Sequence, residues 1–247
     1  MSLLTVVRDV CAVVGVAAPS SVFAALGSNR TMFEMLACAN EMAQRIAADT
    51  RDWTMLRVSM TLIGDGVTTA FNLPANYRRM LLNSNVWLST STQQPMRFFS
   101  DTDEWVQRRA AGENDAWGEW TMYGGQIHIW PAMSASTTAR FIYLDRNPIA
   151  LTSGGYGEEF MADTDVFRLD QRLLKLGMIY DWKMKKGSPY AEDMGTYSDA
   201  IATAMGHDKP SPIIIGQRGS SYAKVAIPTQ TITVPINPYG PNWGGPP

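Results

Sequence analysis

An α+β fold is what this sequence predicts, and three observations carry that expectation. Apolar residues recur at helical spacing near both ends, the period drops to two between about residues 54 and 145, and the last 41 residues are rich in proline. The expected organisation is N-terminal helices at 1–52, an inserted antiparallel β-domain at 53–150, helices at 151–206 that complete a bundle with the first set, and an extended proline-rich arm at 207–247.

The opening MSLLTVVRDVCAVVGVAAPS is apolar and ends in small residues, as a signal peptide does. It lacks a positive n-region, however, and Arg8-Asp9 interrupts the apolar run. Leu3, Val6, Val7, Val10, Val13 and Val14 instead follow helical spacing and leave Arg8 and Asp9 off the stripe, which predicts an amphipathic helix of a soluble, intracellular protein. Pro19-Ser20-Ser21 breaks it, and VFAALGSN reads as a short helical turn ending at Gly27. A longer helix starts at Thr31, three residues before Glu34 in capping-box spacing. Its face is Met32, Met35, Leu36, Ala39, Met42, Ala43 and Ile46.

From Thr54 the pattern alternates. MLRVSMTLIG, a Gly64-Asp65-Gly66 turn and TTAFNLP together predict a β-hairpin. Further strands are expected in RMLLNSNVWLS, QPMRFFS, WTMYGGQIHIWPA and TARFIYLDRNP, about five or six in all, with Gly124-Gly125 at a tight turn. Between them DTDEWVQRRAAG predicts a short helix capped by Asp101 or Asp103, with Arg108 and Arg109 in its last turn, where cations suit the helix dipole. DTDVFRLDQRLLKLGMIYDWKMKKG predicts the strongest helix, with Asp163 and Asp165 at its start, and SPYAEDMGTYSDAIATAMG a final one.

Charge and residue counts narrow the functions. With 21 basic and 23 acidic residues the net charge is −2, so no global positive field favours tight nucleic-acid binding. Cys11 and Cys38 lie in apolar helical sequence with no histidine near either, which predicts buried thiols rather than a disulfide. Gly64-Asp65-Gly66 is followed by neither lysine nor helix, so it reads as a turn and not a phosphate loop. Asp163-Thr164-Asp165 pairs carboxylates suited to a hard cation, but the other oxygens of a calcium loop are missing and helix capping explains both. Only His128 and His207 exist, and neither sits in a triad motif. Glu113, Asp115 and Glu119 admit a glycosidase pair or a solvated acidic loop. Trp87, Trp105, Trp117, Trp120 and Trp130 admit a glycan-binding face as well as core packing. No catalytic residue, metal ligand or cofactor is assigned.

The order of features is more telling than any one motif. RDWTML, TLIGDGVTTAFNLPANYRRM, MYGGQIHIWPA, FIYLDRNPI and then DTDVFRLDQRLLKLGMIYDWKMKKG follow an early amphipathic helix in a succession that resembles the head-to-tail adaptor proteins of short-tailed bacteriophages, the connector or tail-tube-A type. The resemblance covers roughly residues 31–206. It implies a non-enzymatic virion protein at the head-tail interface, assembled in the host cytoplasm as a ring, commonly a dodecamer. Such a ring lies between the portal and a tail tube or nozzle protein, takes no cofactor, touches no membrane, and lets DNA pass without gripping it. The apolar helix before Thr31 and the arm after Gly206 depart from the usual pattern. The runner-up functions are a glycan-binding tail module and a phage cell-wall hydrolase.

Two sets of interface residues follow. Arg78 and Arg79 are assigned to a subunit contact. In the arm, Ile213, Ile214, Ile215, Tyr222, Ile227, Ile232, Val234, Ile236, Tyr239 and Trp243 are too dispersed for a private core and call for a partner surface, while Arg218 and Lys224 suit an acidic groove. The partner expected for the arm is the portal or a neighbouring subunit, and the alternating TQTITVPI is suited to adding a strand to a sheet edge.

Overall fold

A computed structural model describes residues 1–91 and 93–208, which fall within one unit, Met1–Pro210. The interface residues assigned to the arm, Ile213 to Trp243, lie outside the described residues. The fold is α+β, as the periodicities indicate.

Helix α1 spans Leu3–Val14, α2 Val22–Ala25 and α3 Arg30–Ala48. The α1 stripe is turned slightly from its sequence reading: Leu3, Val6, Val7, Val10 and Cys11 are buried, while Val13 is 52% exposed. In α3 the methionine face is buried at Met32, Met35 and Met42, with Ala39, Ala43 and Ile46. The Thr31–Glu34 capping box does not form. Asn29, two residues earlier, caps the helix by accepting from the Thr31 N–H, and Glu34 instead pairs with Arg30 and Lys186. An asparagine cap satisfies the same orphan donors equally well, so local spacing could not choose between them.

Strand β1 (Arg57–Ile63) follows a 3-10 turn at Thr54–Leu56. Next come β2 (Ala70–Asn72), β3 (Tyr77–Met80), β4 (Trp87–Leu88), β5 (Arg97–Phe98) and helix α4 (Thr102–Ala111), capped by Asp101. Strands β6 (Glu119–Tyr123), β7 (Gln126–Trp130) and β8 (Thr138–Asp145) are longer. Gly124 and Gly125, at φ +61° and +74°, make the tight β6–β7 turn expected of that pair. Three two-residue strands, β9 (Ile149–Ala150), β10 (Tyr156–Gly157) and β11 (Val166–Phe167), form a small sheet of their own.

The predicted hairpin of β1 with β2 is not there. β1 pairs antiparallel with β8 over its full length, whereas β2 pairs with β7 in a different sheet. One sheet has the order β1-β8-β3, with β4 also on β8, and the other the order β2-β7-β6-β5. The β5–β6 pair is parallel, so this part is not purely antiparallel. Gly64-Asp65-Gly66 is therefore a crossing between two sheets. Asp65 accepts from the N–H groups of Val67 and Thr68 and from the Thr68 hydroxyl, which holds its carboxyl down at about 2. Gly64 is required by close approach: a Cβ there would lie 2.6 Å from Met133 Cβ and from the Met133 and Ser134 carbonyl oxygens. Two of those atoms are backbone, so Gly64→Ala is expected to cost about 1–3 kcal/mol as an overpacking change. Urea denaturation checks this, with Gly66→Ala as a comparison, because a Cβ at Gly66 meets nothing within 4 Å and only its φ of +86° opposes it.

The strongest predicted helix starts eight residues late. Helix α5 is Gln171–Lys185, capped by Asp170, and α6 is Ala191–His207. Asp163 and Asp165 lie before β11 and do not cap α5. The segment 163–170 carries enough helix-compatible residues to extend the pattern, but its backbone pairs with β9 instead.

Two apolar cores result. The first joins α1, α3 and α5 through residues such as Val7, Met32, Met42, Ile46, Leu173, Leu174 and Met178, with Trp53, Leu144, Ile149, Phe160 and Phe167 added from the loops and strands. The second lies between the two larger sheets and contains Leu62, Val86, Met96, Trp120, Ile127, Ile129, Phe141 and Tyr143. Each fully buried aliphatic side chain contributes about 1.5–3 kcal/mol, which explains why α5, buried at eight positions, anchors the helical part. Helix α6 has no fully buried residue and covers the bundle with one half-buried side, including Tyr197, Ala200, Ile201, Ala204 and Met205.

Candidate functional site

Buried polar groups are where chemistry would be expected, and in this chain they hold the architecture. Asp165 is 1% exposed and accepts three backbone N–H groups: Thr152 at 2.8 Å, and Met161 and Ala162 at 2.7 Å each. Burial alone would raise its carboxyl, but these donors outweigh it and bring it below the ordinary 3.8. Asp163 accepts from Val22 and Phe23 at the start of α2, and the carbonyls of Asp163 and Asp165 accept from Leu4 and Leu3 at the start of α1. The Asp163-Thr164-Asp165 motif thus ties two helix N-termini to one loop. Among the described residues no group of three or more His, Cys, Asp or Glu side chains is placed to hold a metal ion.

A pH dependence follows from Asp165. Its folded pKa is depressed, so its contribution is fully present above 3.8 and is lost as the pH falls through the lower folded value. Asp165→Asn would turn an amide N–H₂ or a single oxygen toward three donors, leaving at least one unmet, and is expected to cost about 1–3 kcal/mol at neutral pH. Urea midpoints taken from pH 6 downward should fall below pH 4 in the wild type, with a smaller fall in the variant.

The most concentrated charge cluster joins α4 to β6. Glu119 is fully buried, with one oxygen 2.7 Å from Arg108 and the other bound by Arg109. Arg108 also reaches Glu113 at 3.0 Å and lies 5.2 Å from the Phe99 ring, and Arg109 sits between the rings of Trp105 and Trp130 at 4.5 and 5.0 Å. The sequence places both arginines at a helix C-terminus and admits Glu119 to a glycosidase pair or a solvated acidic loop; the buried clamp is neither. The signal that could have joined them is a glutamate flanked by tryptophan in an alternating strand, directly after a helix ending in Arg-Arg. Asp115 accepts from the Trp117 N–H in the connecting turn.

The tryptophans divide between core and surface. Trp105 and Trp120 are buried, Trp130 is half-buried, and the exposed Trp87 and Trp117 line two different grooves rather than one platform. Cys11 and Cys38 are buried free thiols. Burial, then the neighbouring Asp181 carboxylate at 3.2 Å, pushes the Cys38 thiol far up and leaves it unreactive. His128 stacks on Tyr123 with ring centroids 3.8 Å apart, and burial lowers its pKa.

Arg78 and Arg79 are both exposed on β3. Arg79 ion-pairs with Asp52, while Arg78 has no ion-pair partner among the described residues. The helical part also displays apolar side chains: Phe33, Met55, Met161, Met184 and Met194 are all exposed. Phe33 lies with Leu36, Ala37, Asn40 and Gln44 along an open groove on α3, rimmed by Glu41, Glu158 and Glu159. Adaptable methionine and aromatic side chains at the surface suit protein contacts.

Two apolar cores, buried charges paired within the scaffold and exposed methionines make an α+β protein with surfaces suited to protein contacts. The family model for the SU10 adaptor protein matches residues 1–217, and the chain belongs to that family. It is thus a phage structural adaptor of the head-to-tail type. No curated protein matches the chain.

Proposed function

We propose that the protein joins the portal to the tail as a ring, commonly of twelve copies, and continues the DNA channel between them. Membership of the adaptor family over residues 1–217 carries this reading. The charge balance supports it, because a conduit for sliding DNA gains from near-neutrality, and the net charge is −2. Arg78, exposed and unpaired with any described acid, and Arg79 contribute a contact between neighbouring subunits. The arm residues Ile213 to Trp243 contact the portal or the adjacent adaptor, and repetition around a ring turns a weak single contact into firm attachment.

The test is to mix purified protein with portal complexes and measure the mass of the species formed. A gain of many copies, twelve for a dodecamer, is expected; no association defeats the reading. A chain truncated after Asp208 separates the arm's role from folding. The cut must spare Asp208, because its carboxylate binds the Thr54 amide and hydroxyl and pairs with Arg51 at 3.5 Å. The truncated chain is expected to keep its circular dichroism and lose portal attachment.

A further inference from the structure

We infer that the free edge of β1 receives the 229–236 segment, TQTITVPI, from a second copy of this chain. The inference rests on the ring reading above and deepens it by naming the surface that accepts the arm. β1 ends its sheet and pairs only with β8 among the described residues. The Gly64 N–H donates to the Thr137 carbonyl at 2.8 Å, which sets the alternation of the ladder. Val58, Met60 and Leu62 then turn their backbone groups to β8, and Ser59, Thr61 and Ile63 direct theirs to the open edge, while the Arg57 N–H is taken by the Thr54 carbonyl.

Among the described residues, this is the one long strand edge in the two larger sheets that is left unguarded. Its register runs unbroken over seven residues, with no proline, no bulge and no charge between Val58 and Ile63. β3, by contrast, is four residues long, shifts register between Tyr77 and Arg79, and carries two arginines. β2 and β5 have only three and two residues. Exposed edges are ordinarily blunted by such devices, so a long plain edge marks a place for another strand.

The side chains of the segment match both faces of β1. Val58, Met60 and Leu62 contribute to the core between the sheets, whereas Ser59, Thr61 and Ile63 are exposed on the outer face. In the segment Ile232, Val234 and Ile236 alternate with Thr229, Thr231 and Thr233. Added beside β1, the first set extends the apolar face and the second sets threonines against Ser59 and Thr61, a favourable cross-strand pairing. Pro235, which has no N–H, ends the pairing.

Chain length permits the second copy, and the ring reading above selects it. The chain leaves the described fold at Asp208, which is held on Thr54, three residues before β1 begins. Residues 209–228 then intervene, a reach of up to roughly 66 Å. A domain of this size has a radius of gyration of about 17 Å and is on the order of 45 Å across. That reach exceeds what a return to the adjacent β1 requires and suffices to cross one subunit. Head-to-tail donation is a heterologous contact, which builds a ring where the rotation between copies closes.

The test is residue-resolved amide exchange of Ser59, Thr61 and Ile63 in the full chain, over a protein concentration series and on portal complexes. Exchange at these three sites is expected to slow about tenfold or more in the assembled form and to recover on dilution. Fast exchange in the assembled form overturns the inference, and slow exchange independent of concentration overturns the choice of a second copy. Thr61→Pro removes a donor that the β1–β8 ladder does not use, so the fold is expected to survive while protection is lost; Thr61→Lys is the alternative should proline disturb the strand. Val234→Asp is expected to lose protection in the same way. Mixing Thr61→Pro with Val234→Asp chains should restore it on the latter, and no restoration overturns donation between copies. Portal attachment with fast β1 exchange defeats this inference and leaves the adaptor reading standing; slow exchange without portal attachment does the reverse.

Discussion

Leu173→Asp is expected to abolish the folded state. Leu173 is 1% exposed in the apolar core that α5 shares with α1 and α3. Burying an unpaired charge costs several kcal/mol beyond the apolar packing lost, against a net stability of about 5–15 kcal/mol for a typical domain. Leu173→Ala, which only opens a cavity, should cost about 2–5 kcal/mol and leave a cooperative transition. Val13→Asp is the informative contrast. Helical spacing alone places Val13 on the buried stripe, yet it is 52% exposed, so the same substitution there should change stability by less than about 0.5 kcal/mol. Circular dichroism and urea denaturation of the three variants decide the matter. A folded Leu173→Asp protein would mean that α5 does not anchor the bundle.

Glu119→Ala is expected to be the most damaging change in the β-rich part, at about 3–5 kcal/mol, because it strands Arg109 in a largely buried site and leaves Arg108 only the exposed Glu113. The two arginine side chains are 23% and 16% exposed, so escape to water is limited. Glu119→Gln should fall between, keeping one acceptor oxygen and losing the charge. Replacing all three side chains by apolar ones of similar volume should recover most of the loss, since the cost lies in the unpaired charges rather than in the pair itself. Equilibrium urea unfolding of the single and triple variants reads this out. The outcome also bears on the hydrolase alternative: a residue clamped by two arginines is expected to report on stability, not on turnover.

Local signals were strong wherever an element's partner lay close in sequence. The β6–β7 hairpin was legible because Gly124-Gly125 supplies the positive φ of its tight turn. Helix α4 was legible from Asp101 at one end and Arg108-Arg109 at the other. Helix α3 followed from periodicity, and α6 lies in the segment SPYAEDMGTYSDAIATAMG where a final helix was expected. The β1–β2 hairpin failed for the opposite reason: alternation around Gly64-Asp65-Gly66 describes two strands and a bend, but it carries no information on whether they pair with each other or with β8 and β7. The start of α5 failed similarly, since the pairing of Val166 and Phe167 with β9 overrides helix-compatible sequence.

By itself, then, the sequence determined the α+β class, the helices with clear periodicity, the burial of both cysteines and the adaptor family, because each rests on composition, on short-range spacing or on the order of motifs. Only the tertiary structure decided that Asp163 and Asp165 secure the helix starts of α1 and α2, that Glu119 holds two arginines, and that β1 pairs only with β8 among the described residues. Those outcomes depend on groups up to 162 residues apart, as Leu3 and Asp165 are, meeting in space. Backbone donors and buried charges take whichever acceptor the packed core brings within reach, and burial makes an unmet group costly enough to enforce the choice.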